Sequence, residues 1–411
     1  MMNENPDKSF IYCTPFLNEI ARIKESTDSK FFDPKNFSST KIEDFNKLLM
    51  EGKNIAVTHT TFANSNDLTI EYLSRGNYIL VLDEVLDILV DYGSVTKDSL
   101  SKTDIKVLFN EGFIKTDEYG KVFWLKDSYP ASKYYNVERL AKMGNLYYLD
   151  NAMMVWQFPP QVFQSFHKIY ILTYLFCGSF LKPYFEYHQL DYILAGLEEQ
   201  HGKYMLKQYE NDLKSRNKYK ELITVFDDSK MNNYKASALC KTWYDKQTQK
   251  QLKSLQDNLF NYFHNKTKAK SKEIMWCCPK EHYKSLKGKG YTIVRRLNSE
   301  EKQLSKSEQK DIEKILECFV PLNARATNDY KDRSVLAYCY NFFANPYIKR
   351  YFENKNAHDG TKIEVNQDYL ALSCLIQWVW RSRIRDEKPI IIYIPSTRMR
   401  CLFVDWLDGK M

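Results

Sequence analysis

Ile79-Leu80-Val81-Leu82-Asp83-Glu84-Val85 is an apolar run that stops at two adjacent acids. A strand in a parallel sheet reads as a near-continuous apolar run, because helices cover both of its faces. The carboxyl ends of such strands are where open α/β sheets hold ligands. One acid there can hold Mg²⁺ while its neighbour polarises a water. Alone, the pair fits equally a strand whose last acid caps the next helix, so the flanking sequence has to decide.

Upstream, residues 9–16 read as a strand running into Thr14-Pro15, with a helix starting near Asn18. Helical spacing over 41–51 ends at Gly52, and 54–58 is a second short buried strand. A helix over 66–74 then leads into the acid-tipped strand. The alternation of strand and helix predicts a doubly wound parallel sheet. Further strands are expected at 151–158, 168–176 and 389–396, and a small hairpin with helices within 98–150. Helices are expected over 247–263, 303–319, 331–352, 367–384 and 397–408.

At 411 residues, 44% of them hydrophobic, the chain can build more than one core. The longest apolar run, around 169–181, is short and broken by Gly178-Ser179, which excludes a membrane span. The opening MMNENPDKSF has no basic segment followed by an apolar one, so no signal peptide is read. Nine cysteines without a CxxC pair suit free thiols in a reducing cytosol, which places the protein in the cytoplasm. The spacing of Cys277, Cys278 and His282 fits no zinc knuckle. The formal charge is +8, yet residues 241–296 alone carry a net +10, with Trp243, Tyr244, Phe260, Tyr262, Trp276 and Tyr291 interleaved. Charge with stacking faces suits a nucleic-acid strand, with Lys266, Lys268, Lys270 and Lys272 as backbone contacts; a solvated helical face has the same composition.

Several stretches stand in a telling order. They are Ile11-Tyr12-Cys13-Thr14-Pro15-Phe16-Leu17 with Glu19 and Arg22, then Val57-Thr58-His59-Thr60-Thr61-Phe62, then Val81-Leu82-Asp83-Glu84-Val85. Leu172-Thr173-Tyr174-Leu175-Phe176, Asn323-Ala324-Arg325-Ala326-Thr327-Asn328 and Gln377-Trp378-Val379-Trp380-Arg381-Ser382-Arg383-Ile384-Arg385 follow. In this order they resemble motif Ia, the later nucleic-acid motif of the first RecA-like domain, and motifs II, III, V and VI of superfamily 2 helicases and translocases of phage and mobile-element type. The resemblance covers nearly the whole chain. It implies ATP and Mg²⁺ as cofactors, with Asp83 on the metal, Glu84 as base, and Arg381 and Arg385 at the γ-phosphate. It places Asn323, Thr327, Asn328 and Gln377 at the nucleotide, and Thr14, Pro15, Thr58, His59 and Thr60 along a bound strand, DNA ahead of RNA. A protein partner is open.

Three departures stand beside it. Leu86 follows where DEAD or DEAH boxes have Asp or His, making this a DExx box. Arg381 and Arg385 lie four apart, not three, with Arg383 between them. No GxxxxGK[ST] segment occurs, so the lysine and the amides that cradle phosphates are missing from this sequence. The reading is therefore an α/β protein with two RecA-like parallel-sheet domains and a helical basic insertion. The first domain spans 1–190, the mostly helical basic segment 191–300 and the second domain 301–411. Either a P-loop supplied from elsewhere makes it an ATP-dependent helicase or translocase, or it is a helicase-derived binding or regulatory protein that does not hydrolyse. A Mg²⁺ nuclease built on Asp83 and Glu84 would lack a third acid.

Overall fold

The computed structural model describes residues 2–5, 7–36, 40–130, 133–209, 213–292, 303, 318–322, 329–357 and 359–411, without the side chains of 213–215. The helix expected over 303–319 falls almost wholly outside the described residues, as does the whole stretch 323–328.

The chain forms two compact units. The first comprises Met1–Tyr192 with Asn345–Asn366, the second Ile193–Ala344 with Gln367–Met411. The first is built on strands β1 (Phe10–Thr14), β2 (Phe31–Phe32), β3 (Asn54–Thr58) and β4 (Ile79–Asp83). An antiparallel sheet of β5 (Leu89–Asp91), β8 (Leu146–Leu149) and β9 (Met153–Gln157) adjoins it, with a hairpin of β6 (Ile114–Thr116) and β7 (Val122–Trp124). Strand β10 (Lys168–Leu172) completes the main sheet, whose order is β10-β4-β1-β3-β2 with every pair parallel.

Alternation decides what each face of this sheet touches. Ile11, Cys13, Ile55, Val57, Leu80 and Leu82 point into the larger core, against Phe45, Leu49, Phe62 and Leu73. Phe10, Tyr12, Ala56, Ile79 and Val81 point the other way, onto Ile20 and Ile23 of the helix Leu17–Ser26. Helices Lys41–Met50 and Asp67–Gly76 begin in reciprocal capping boxes, Thr40 with Glu43 and Asn66 with Thr69. Such boxes satisfy backbone donors that the first helical turn leaves orphaned.

The second unit contains β13 (Ile223–Phe226), β14 (Ile274–Cys277), β15 (Val335–Tyr338) and β16 (Ile390–Tyr393), preceded by a separate hairpin of β11 (Ala195–Gln200) and β12 (Lys203–Gln208). Its sheet runs β13-β16-β15-β14, again all parallel. One face packs on the helix Gln249–Phe260 and the π-helical turn Asn261–Lys266 through Leu252, Leu255, Leu259 and Tyr262. The protein is thus α/β with two parallel sheets. The segment 191–300 carries helices, and it also supplies β13 and β14 of the second sheet.

Residues 331–352 depart from the helix expected there. Val335–Tyr338 is a fully buried strand, and the helix starts only at Pro346. A short apolar run does not distinguish buried strand from buried helix by periodicity. The helix Pro346–Glu353 returns to the first unit, where Ile348, Tyr351 and Phe352 enter its core.

That returning segment is held by polar contacts of fixed direction. The Tyr351 hydroxyl donates to Gln157 Oε1, and Gln157 Nε2 donates to His188 Nε2 at 2.9 Å. Burial, then the nearby Lys355 ammonium, pushes the His188 imidazole down to about 4. Lys355 is only 5% exposed, and its ammonium sits 4.3–4.7 Å from the ring centres of Tyr119, Tyr187 and Tyr351. Burial lowers it to about 8.

Both are bases that protonate more readily when unfolded, so both make stability rise with pH. The His188 contribution is complete above the unfolded value near 6.5 and is lost as pH falls from there through about 4. The Lys355 contribution grows only between about 8 and 10.5. Urea titrations across pH should show both slopes, with His188→Asn flattening the acid one and Lys355→Met the alkaline one. Unchanged slopes in both variants would refute the assignment.

Candidate functional site

The register of the first sheet brings four strand ends to one edge. Thr14 pairs with Thr58, Cys13 with Leu82, and Leu172 with Asp83. Asp83 shares the phase of Ile79 and Val81, so its carboxylate lies on the same face as Tyr12 and Thr14. Both side chains use this. Tyr12 donates its hydroxyl to Asp83 Oδ2 at 3.0 Å, and Thr14 Oγ1 donates to the same oxygen at 3.2 Å. Asp83 Oδ1 accepts no hydrogen bond among the described residues. Burial, and then the facing carboxylate, push the Tyr12 phenol far up, so it stays a donor.

His59 reaches the same point from β3. Its Nε2 lies 2.9 Å from the Asp83 carbonyl oxygen, so that nitrogen carries the proton. Thr58 caps the short helix His59–Phe62, accepting from the Thr61 amide. Thr60 is exposed on that turn, and Pro15 is half-buried after β1. Glu84 leaves the strand with φ +65°, and its amide donates to Leu172 O at 3.0 Å. A left-handed glutamate costs of order 1–3 kcal/mol, and here it turns the chain immediately after Asp83. Thr173 follows β10 at the same edge.

The structure therefore gathers Thr14, Pro15, Thr58, His59, Thr60, Asp83 and Glu84. Tyr12 was missed as a member, although its i,i+2 spacing from Thr14 places both on one face of β1. A magnesium ion bound with a nucleotide needs only one or two protein carboxylates beside the phosphates. Asp83 fits that role through Oδ1. Among the described residues no group of three His, Cys, Asp or Glu could hold a metal by itself.

The second unit holds the remaining candidates. Arg381 and Arg385, four apart in sequence, do not share one helix. The helix Gln367–Val379 stops, because Ser382 donates to Val379 O and then caps a 3-10 turn, Arg383–Asp386. Side-chain hydroxyls compete with helix continuation in this way. The Arg381 guanidinium donates to the carbonyls of Pro321 and Leu322. Arg385 is exposed on the turn, whose first amide bonds to Arg333 O just ahead of β15. Gln377 is half-buried on its helix. Asn323, Thr327 and Asn328 lie outside the described residues.

Lys266, Lys268, Lys270 and Lys272 are all exposed, from Lys266 at the end of the π-helical turn to Lys272 in the 3-10 turn Ser271–Glu273. Lys266 pairs with Asp228 at 3.2 Å. The aromatics interleaved with this charge serve mainly the core. Tyr244, Tyr262, Trp276 and Tyr291 are fully buried, and only Phe260 is as much as 42% exposed. They follow the buried phases of the helix and of β14, which composition alone does not separate from the charged ones.

These features define an α/β protein with two parallel sheets and a polar cluster at the carboxyl edge of the first. Residues 217–407 match the family described as "YonV C-terminal Rossmann-like domain", and residues 95–156 match "YonV middle domain". The chain is 34% identical to the "SPbeta prophage-derived uncharacterized protein YonV" of Bacillus subtilis (strain 168), over 100% of its own length and 95% of that protein. It belongs to the YonV family. A solved chain titled "XPD_Helicase" is similar at TM-score 0.42 and 12% identity, over 97% of this chain and 84% of that one, a likeness too slight to argue from. No described helix is long and apolar enough to cross a membrane.

Removing the acceptor shared by Tyr12 and Thr14 should cost more than changing its charge. Asp83→Ala is expected to lose about 1–3 kcal/mol, as two buried hydroxyls lose their partner. Asp83→Asn, which keeps a carbonyl oxygen, should lose less. Chemical denaturation of both variants decides; equal losses would mean the hydroxyls find other acceptors.

Proposed function

We propose that this chain is a helicase-like nucleic-acid-binding protein whose first sheet carries a nucleotide-type edge. The observation that carries the reading is the convergence of Thr14, His59, Asp83 and Glu84 at the carboxyl ends of adjacent parallel strands. The motif order supports it. In this reading Asp83 would hold Mg²⁺ against nucleotide phosphates, an ion that neutralises charge developing on them. Tyr12 and Thr14 fix the carboxylate rotamer, so that Oδ1 keeps its direction. Glu84 would accept a proton from an attacking water, and Arg381 and Arg385 would answer the γ-phosphate. Gln377, with Asn323, Thr327 and Asn328, would complete the nucleotide contacts. Thr14, Pro15, Thr58, His59 and Thr60 would touch phosphates of a bound strand, DNA in preference to RNA. The exposed loop of Lys266, Lys268, Lys270 and Lys272 would add to its hold.

With no GxxxxGK[ST] in this sequence, hydrolysis in this reading needs a P-loop supplied from elsewhere; the alternative is binding without hydrolysis. The chain as it stands should hydrolyse ATP at background, and a P-loop strand supplied in cis should raise the rate in a Glu84-dependent way. Robust turnover by the unaltered chain, unaffected by Glu84→Gln, would overturn the assignment of this edge.

Nucleic-acid binding should be tolerant of sequence and steep in salt, because released counterions dominate contacts between lysine and phosphate. Reversing the four lysines to glutamate should flatten log Kobs against log salt by up to about 3 units. Filter binding at low salt measures it, and an unchanged slope would leave the loop as a solvated surface.

A further inference from the structure

The outer face of the β6–β7 hairpin in the first unit carries an exposed aromatic ring between two cations. Its strands pair Ile114 with Trp124, Lys115 with Phe123 and Thr116 with Val122. Alternation sends Ile114 and Val122 into the core and puts Lys115, Lys121 and Phe123 on the opposite face. Phe123 is 37% exposed, and Leu125, two residues on, is 50% exposed. The Lys115 ammonium lies 5.9 Å from the Phe123 ring centre and the Lys121 ammonium 5.8 Å. Both distances stand at the ~6 Å outer limit of a cation–π contact, so the cations flank the ring rather than cover it. Among the described residues neither ammonium has a hydrogen bond or an ion pair. The acid across from Lys121 is occupied by the turn: Asp117 Oδ1 accepts from the amides of Tyr119 at 2.9 Å and Lys121 at 2.8 Å.

This face is held in place before anything lands on it. The Tyr148 amide donates to Gly120 O at 2.7 Å, and Lys121 bridges to Tyr147 of β8. Gly120 has φ +80°, and a Cβ there would meet Tyr148 O at 2.6 Å, so the turn lies this close only with glycine. The Lys355 ammonium sits 4.7 Å from the Tyr119 ring centre and pins the tip. A surface fixed in advance loses little freedom on binding. A nucleotide within a single strand is its complement, a flat base with a phosphate on either side. Stacking on aromatic rings and lysine contacts to the backbone are what sequence-tolerant single-strand binders use. Most rings of the basic stretch 241–296 are buried in the second core, so that stretch supplies charge with little stacking.

We propose that the outer face of the β6–β7 hairpin is a stacking platform for single-stranded nucleic acid. Phe123 stacks on one base, and Lys115 and Lys121 hold the phosphates on either side of it. Leu125 extends the apolar surface beneath the neighbouring base. The proposal rests on the nucleic-acid reading above and adds a contact that none of its motif residues supplies. The hairpin lies within residues 95–156, the stretch that matches the YonV middle domain, so it gives that domain a task.

Fluorescence anisotropy of the full chain with a labelled oligothymidylate of about 12 nucleotides tests this, a length within the site sizes of single-strand binders. Phe123→Ala should weaken binding about ten-fold, and Phe123→Trp should keep it. On a strand of the same length made of abasic sites, Phe123→Ala and the wild type should bind alike, because there is no base to stack. Lys115→Gln with Lys121→Gln should reduce the slope of log Kobs against log salt by about 1.4 units, at about 0.7 for each phosphate contact on a single strand. Irradiating the wild-type complex with a bromodeoxyuridine strand should cross-link the tryptic peptide 122–126, a readout that needs no variant. A wild type that binds the strand, gives no such cross-link and is indifferent to these changes overturns the platform, and leaves the nucleic-acid reading to the lysines of 266–272. Losses of equal size on base-bearing and abasic strands also overturn it, since Phe123 would then serve only the fold. A wild type that binds no strand at low salt overturns both the platform and the reading on which it rests.

Discussion

The donation of two hydroxyls, from Tyr12 and Thr14, to one oxygen of Asp83 is the contact on which the polar edge of the first unit depends. A parallel sheet covered on both faces has few places for a carboxylate. At mid-strand the charge would be stripped of water, at a cost no single partner offsets. At the carboxyl end the chain leaves the sheet, and half-exposure keeps the acid soluble while two neighbours fix it. The period of two then makes the arrangement almost automatic. Once Ile79 and Val81 face the helix Leu17–Ser26, Asp83 must as well, and so must Tyr12 and Thr14 on the adjoining strand.

The second sheet obeys the same rules and arrives elsewhere. Its carboxyl edge is closed on itself. Asn341 is fully buried and donates to the carbonyls of Ala236 and Ala238, while Arg398 donates to Asn341 Oδ1, Phe342 O and Asp368. Polar groups there satisfy one another, so the edge is knitted, where at the first sheet's edge Asp83 Oδ1 accepts no hydrogen bond among the described residues. Two parallel sheets in one chain need not both be ligand sites, and fold alone does not distinguish them.

Four strands of the first sheet, β1, β3, β4 and β10, were legible as apolar runs bounded by turn residues, whereas the two-residue β2 is too short to show a pattern. Asp83, Thr14 and His59 were legible as candidates for the same reason: they stand at strand ends. Tyr12 was not, since a tyrosine inside an apolar run reads as core, and only the register shows its hydroxyl reaching an acid. Val335–Tyr338 was misjudged because four apolar residues satisfy either period. The helix expected over 367–384 runs past its real end because apolar spacing says nothing of Ser382, whose hydroxyl bonds to Val379 O and ends it.

The basic stretch makes the same point about composition. Its lysines and aromatics alternate in sequence, yet they divide by phase: Leu252, Leu255, Leu259 and Tyr262 face the second sheet while the lysines face water. What fixes the lysine loop is a backbone constraint. Gly290 has φ +86°, and a Cβ there would meet His264 Cε1 at 2.6 Å, so only glycine allows the 287–290 turn to lie against the π-helical turn. His264 Nε2 reaches Lys289 O at 2.6 Å, and Ser271 Oγ donates to Gly290 O at 2.7 Å. The segment after the helix and the Lys287-Gly288-Lys289-Gly290 turn are thereby held against each other by the His264 and Ser271 side chains bonding to carbonyls of the turn. Lys266 is paired with Asp228, while Lys268 and Lys272 stay exposed outside that contact, and such exposure is the condition for an ammonium group to meet an external anion.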